Sequence, residues 1–142
     1  MLTLSTSRNI VDKAILRARQ LNATISVAVC DSSGCLIALN RMDGADWDVD
    51  RGSIGKAIAA AITGYPSDEL ISRIAASGRQ MALSRVIAIR GQRGGLPIKE
   101  AGMVEGGCGV SGAPTLEQDE ECARAGIAAF GTAKSDRSHE PV

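Results

Sequence analysis

The sequence predicts an α+β fold around a largely antiparallel sheet, in the order α-β-β-α-α-β-β-β-α. Three observations point there. Apolar residues recur at helical spacing in several segments, short runs alternate with period two, and within each run of successive strands the links are too short to hold a crossover helix. Those links argue against a βαβ architecture of the Rossmann kind. At 142 residues the chain fits one compact domain, since a chain of about 150 residues buries roughly 68–70% of its unfolded surface. We place that single domain at 1–131 and a flexible C-terminal tail at 132–142.

The elements follow in order. Residues 5–21 carry Ile10, Val11, Ala14, Ile15, Ala18 and Leu21 at helical spacing, with Arg8, Asp12, Lys13, Arg17 and Arg19 among them, an amphipathic helix. Strands are expected over 24–31, where Ile25, Val27 and Val29 alternate, and over 35–42; Gly34 suits the tight turn between them. After an acidic connector, Ile54, Ala57, Ile58, Ala61 and Ile62 form a helical stripe that Gly64-Tyr-Pro66 stops. The opposite face carries Gly52, Gly55, Ala59 and Thr63, a row small enough for a neighbouring helix or a flat ligand to approach closely. A shorter helix is expected from Ser67 as N-cap to about Ser77, with Leu70, Ile71 and Ile74 inward. Strands follow at 85–90, at 96–99, where Pro97 demands an edge or a bulge, and at 103–110. Thr115 and Gln118 then form a capping box opening a last helix, with Leu116, Ala123, Ile127 and Phe130 buried.

Composition narrows the function. Sixteen Lys and Arg balance sixteen Asp and Glu, and Trp47, Tyr65 and Phe130 are the whole aromatic inventory. Nucleic acid is therefore not an expected partner: the chain lacks both the basic footprint and a base-stacking platform. The N-terminal residues lack the pattern of a secretory signal and no apolar stretch approaches membrane-spanning length, so we expect a cytoplasmic protein without a membrane partner. Cys30, Cys35, Cys108 and Cys122 have no CxxC spacing, which argues against zinc ribbons and thioredoxin-like chemistry and for reduced thiols. Small residues, 21 Ala and 16 Gly, bury little area each, which makes a homo-oligomer an expected source of further burial.

Candidate chemistry is sparse. Gly106-Gly-Cys-Gly-Val-Ser-Gly112 precedes the last helix but lacks the Lys of a P-loop, and Glu117, Asp119, Glu120 and Glu121 already load that helix start with negative charge. The reading is a side-chain-free strand, against which either another element or a planar ligand can lie. Asp46, Asp48 and Asp50 have calcium-loop spacing, but Arg51 stands at the glycine position and Ala57 at the bidentate one, so no metal site is assigned. The single histidine, His139, lies in the tail, so acid–base work inside the domain falls to other groups. Arg41, Asp43 and Lys56 form the candidate catalytic cluster. Arg41 is suited to grip a carboxylate, and Asp43 or Lys56 to move a proton; an ordinary ion-pair cluster at a strand–helix junction is the competing reading.

Taken together, Ile25-Ser-Val-Ala-Val-Cys-Asp31, Leu39-Asn-Arg-Met-Asp-Gly-Ala45, Lys56-Ala57, Gly94-Gly-Leu-Pro-Ile98 and Gly106–Gly112 with Glu117-Gln-Asp119 resemble the GlcG/HbpS-like family, also called the haem-degrading domain. That domain is also found at the C-terminus of PduO-type cobalamin adenosyltransferases. The resemblance runs from about residue 3 to 131. It implies a profilin-like three-layer α/β/α fold with a five-stranded antiparallel sheet, homo-oligomers, and haem or a related small molecule as ligand. On this reading the pocket lies near Arg41, Lys56 and the glycine-rich strand, with Met42, Gly107, Gly109 and Ser111 as ligand-binding residues. No histidine in the domain being available, iron ligation would fall to Met42, a Cys or a Lys. The alternative is a cofactor-independent catabolic enzyme, a lyase, isomerase or hydrolase acting on a small organic acid through Arg41, Asp43 and Lys56.

Overall fold

The structure, a computed structural model, describes the backbone of residues 1–77 and 91–138 and the side chains of residues 1–73 and 91–131. Helix α1 spans Leu4–Gln20. Thr3 caps it: its hydroxyl accepts the Thr6 N–H at 3.1 Å while the Thr6 hydroxyl accepts the Thr3 N–H at 2.9 Å, so two otherwise orphaned donors are satisfied reciprocally. Strands β1 (Ser26–Asp31) and β2 (Leu36–Arg41) form the expected hairpin. Asp31 Oδ1 accepts the N–H groups of Ser33 and Cys35, and Gly34 takes φ +84°, the left-handed conformation this turn requires.

Helix α2 (Val49–Thr63) ends at Gly64. A 3₁₀ turn, Ser67–Glu69, leads into α3 (Leu70–Ser77). Here two expectations are corrected. Ser67 is the first residue of the 3₁₀ turn rather than a helix N-cap, its hydroxyl accepting the Gly95 N–H at 2.8 Å and donating to the Gln92 carbonyl. Ile71 points outward at 77% exposure while Leu70 is buried, since adjacent residues of a helix lie about 100° apart around its axis and here only Leu70 turns inward. The Ile74 side chain lies outside the described residues. Strands β3 (Gly95–Glu100) and β4 (Met103–Ser111) pair across Ala101 and Gly102, and α4 runs from Leu116 to Ser138. Helix α4 thus continues past the 131/132 boundary placed at the tail. Leu116 is exposed where burial was expected, since the inward face of α4 begins with Asp119, Glu120, Cys122 and Ala123.

Among the described residues the sheet has four strands in the order β2-β1-β4-β3, each pair antiparallel. The strand expected at 85–90, which would make a fifth, lies outside the described residues, as does His139. Pro97 sits in β3, at an edge of the sheet formed by the described residues, a placement that its missing N–H favours. Strand β1 is buried on both faces and so carries two cores. Val27 and Val29 face α1 and α4 with Ile10, Val11, Ala14, Ile98, Cys108, Val110, Ala123 and Phe130, while Ala28 and Cys30 face α2 with Ala57, Ile58 and Ala61. The result is an α/β/α layering.

Helix α2 lies unusually close to the sheet. A Cβ at Gly107 would overlap the Ala57 carbonyl oxygen and reach 3.0 Å from the Ala61 nitrogen; one at Gly109 would overlap the Ser53 carbonyl oxygen and lie 2.5 Å from the Ala57 nitrogen. The glycine-rich strand is therefore the seat of α2. Of the two occupants its sequence allowed, the helix takes this face, so Gly107 and Gly109 present no open wall to a ligand.

Candidate functional site

Pairing register places Arg41, Ser26 and Ser111 side by side at one end of the sheet, on the face covered by the first turn of α2. Ser26 Oγ lies 3.0 Å from Ser53 Oγ, which donates to the Asp50 carbonyl at 2.8 Å. Ser111 is buried, and a Cβ on Gly52 would come within 2.6 Å of its Oγ, so helix and strand are in contact there as well. Arg41 donates to the carbonyls of Ala45 and Asp46, closing the connector after β2. Asp43 is exposed on that connector. Met42 turns to the opposite face: it packs against the α1–α4 core, and its Sδ accepts the Ile25 N–H at 3.3 Å.

Lys56 leaves this group entirely. At 2% exposure, its Nζ donates to the Val110 carbonyl at 2.9 Å and to Asp119 Oδ2 at 3.1 Å. Asp119, 3% exposed, accepts the Ala113 N–H on its other oxygen at 2.9 Å. The pair connects α2 to α4 across the end of the sheet, where a Cβ on Gly94 would stand 2.8 Å from Nζ. Burial holds the Asp119 carboxyl above the usual carboxylate range, opposed by the Lys56 charge and the Ala113 N–H. Arg41 and Lys56 thus go to different partners, and Asp43 stands exposed on the connector.

A concave surface lies elsewhere, between α1 and β2. A groove of about 330 Å³ is lined by Leu4, Arg8, Val11 and Asp12 from the helix and by residues 37–40 from the edge strand. A shallower depression of about 590 Å³ adjoins it and shares Leu4, Arg8 and Asp12. Both volumes fall in the range of small-molecule sites, roughly 300–1,000 Å³. The Arg8 guanidinium and the Asn40 amide offer donors, Asp12 a carboxylate, and Leu4 and Ile37 a small aliphatic part of a mostly polar lining, while the Leu39 side chain packs against the α2 layer. Arg8, Asp12 and Asn40 were not singled out as site residues from the sequence. The available signal was an Arg–Asp pair four apart on the polar face of α1 opposite the polar end of an edge strand, a pattern common on ordinary helix surfaces.

No soft or aromatic donor is among the residues that line this groove. Cys30, Cys108 and Cys122 are buried; desolvation pushes the Cys30 thiol up to about 12 and the Cys122 thiol to about 11, with Cys108 also raised. Tyr65 stacks under the Arg73 guanidinium, 3.4 Å from the ring centre. Cys35 is exposed in the hairpin turn. Among the described residues no cluster of His, Cys, Asp and Glu could hold a metal ion, and no helix is long and apolar enough to cross a membrane.

A four-stranded antiparallel sheet of order β2-β1-β4-β3, layered between α1/α4 and a glycine-seated α2, defines a small α/β/α domain with a lateral groove at its edge strand. The chain belongs to the HbpS-like family: the family model described as haem degrading protein HbpS-like matches residues 2–128. It is similar to the crystal structure of HbpS, with 32% identity over 89% of this chain and 88% of that one and a TM-score of 0.79; a double mutant of Streptomyces reticuli HbpS gives 32% and 0.78 over 89% of this chain and 85% of that one. Klebsiella pneumoniae protein ORFY, of family DUF336, matches at 26% identity over 92% and 90% of the two chains, TM-score 0.79. A PduOC:heme complex matches at 25% over 90% and 94%, TM-score 0.76. No curated protein sequence matches the chain.

Proposed function

We propose that this protein binds a carboxylated tetrapyrrole of the haem class in the groove between α1 and β2. The observation that carries the reading is the groove itself, a mostly polar surface where the exposed Arg8 stands beside Leu4 and Ile37. A tetrapyrrole edge carries both carboxylates and apolar substituents, and Arg8 is suited to grip a carboxylate through paired N–H donors. Family membership and the haem complex of a relative support the ligand class. Self-association belongs to the same proposal, supported by β2 standing at an edge of the described sheet with Leu36 exposed.

The residues present suit the periphery of a haem and not its iron. The side chains lining the groove include none of the His, Cys, Met or Tyr donors that hold haem iron in proteins. Titrating haemin into wild type and Arg8→Glu, followed by absorption, tests the site. Losing a charge-assisted bond worth about 1.5–3 kcal/mol is expected to weaken binding tenfold or more in the variant, with thermal unfolding unchanged. Equal affinity in both proteins would reject the groove as the site.

A further inference from the structure

We propose that the groove recognises the tetrapyrrole by its carboxylates and ring edge and leaves the central metal without a protein ligand, so that metal-free protoporphyrin binds as tightly as haemin. This rests on the tetrapyrrole reading above and goes beyond it to what the site selects.

None of the side chains lining the groove is a strong iron ligand. Met42 lies at the far end of β2 from the hairpin turn, but its sulfur accepts a backbone N–H and it packs into the α1–α4 core. Cys30, Cys108 and Cys122 are buried in the sheet and under α4 as protonated thiols, and only a thiolate makes a strong iron ligand. Tyr65, exposed with the Arg73 guanidinium over its ring, does not line the groove. Lys56 is held by Asp119 and the Val110 carbonyl across the end of the sheet, between α2 and α4. What faces the groove is Arg8 and Asn40 as donors and Asp12 as a repelling carboxylate, an arrangement that discriminates between the polar and apolar edges of a macrocycle. None of these contacts involves the ring centre.

The remaining donors belong in the test: Cys35, exposed in the turn just before β2, the exposed Met1, Met103 and Tyr65, and Met81 and His139, outside the described residues. The experiment compares haemin with metal-free protoporphyrin IX by fluorescence and absorption titration, on wild type, Cys35→Ser, Tyr65→Phe, Met81→Leu, Met103→Leu and His139→Ala. The inference expects dissociation constants for the two porphyrins within about threefold, and a bound-haemin Soret spectrum that none of the substitutions changes. Haemin binding more than tenfold tighter than metal-free porphyrin, or any of the substitutions altering the spectrum, would overturn this inference while leaving the groove reading in place. Failure of both porphyrins to bind would overturn the tetrapyrrole reading, and this inference with it.

Discussion

Gly109→Ala is expected to destabilise the protein by about 3–5 kcal/mol, above the usual 1–3 kcal/mol of an overpacked core position. The added methyl would meet the Ser53 carbonyl and the Ala57 nitrogen, both backbone atoms of α2, so no side-chain rotation relieves the clash. The helix as a whole would have to lift. Doing so would open the layer formed by Ala28, Cys30, Ala57, Ile58 and Ala61, and total stability for a domain of this kind is only about 5–15 kcal/mol. Urea unfolding measures it. Gly131→Ala is the matched control: it sits in α4 with nothing within 4 Å, and is expected to raise stability by about 0.5–1 kcal/mol through helix propensity. A small loss at Gly109 would mean that α2 is not seated on the glycines.

Lys56→Met is expected to cost about 3–5 kcal/mol at neutral pH, the usual result of removing one partner from a buried ion pair. The loss comes from Asp119, which keeps the Ala113 N–H but loses the cation that favours its ionised form. Its pKa, already raised by burial, moves further up. A raised carboxyl contributes stability that is complete below its unfolded value, near 3.8, and is lost as pH rises through the folded value. The penalty of Lys56→Met should therefore grow from pH 4 toward pH 8, and Lys56→Met with Asp119→Leu should recover most of it. A pH-independent penalty would show that Asp119 does not carry the effect.

These two positions also show where sequence reasoning stops. The glycines of β4 announced a close approach, because only hydrogen-sized side chains recur along that strand. They could not announce the occupant, since a missing side chain describes the space and not what fills it. Lys56 was placed beside Arg41 and Asp43 by short-range spacing, whereas its partner Asp119 lies in α4, brought near only by the closure of the sheet. The β1–β2 hairpin and the Thr115 cap were legible because each depends on residues a few positions apart, as with Asp31 and Cys35 or Thr115 and Gln118. The groove was not legible: Arg8 and Asn40 belong to different elements, and nothing local marks them as neighbours.

The central claim, that ligand sits between α1 and β2, is tested most directly by amide NMR of the labelled protein with haemin, whose paramagnetic iron broadens nearby signals. The account predicts loss of the amide signals of Arg8, Asp12 and residues 37–40 at the lowest haemin ratios, with Ser26, Ser53 and Ser111 unaffected. Broadening confined to Ser26, Ser53 and Ser111, with the α1–β2 signals intact, would contradict it and return the site to the end of the sheet beside Arg41.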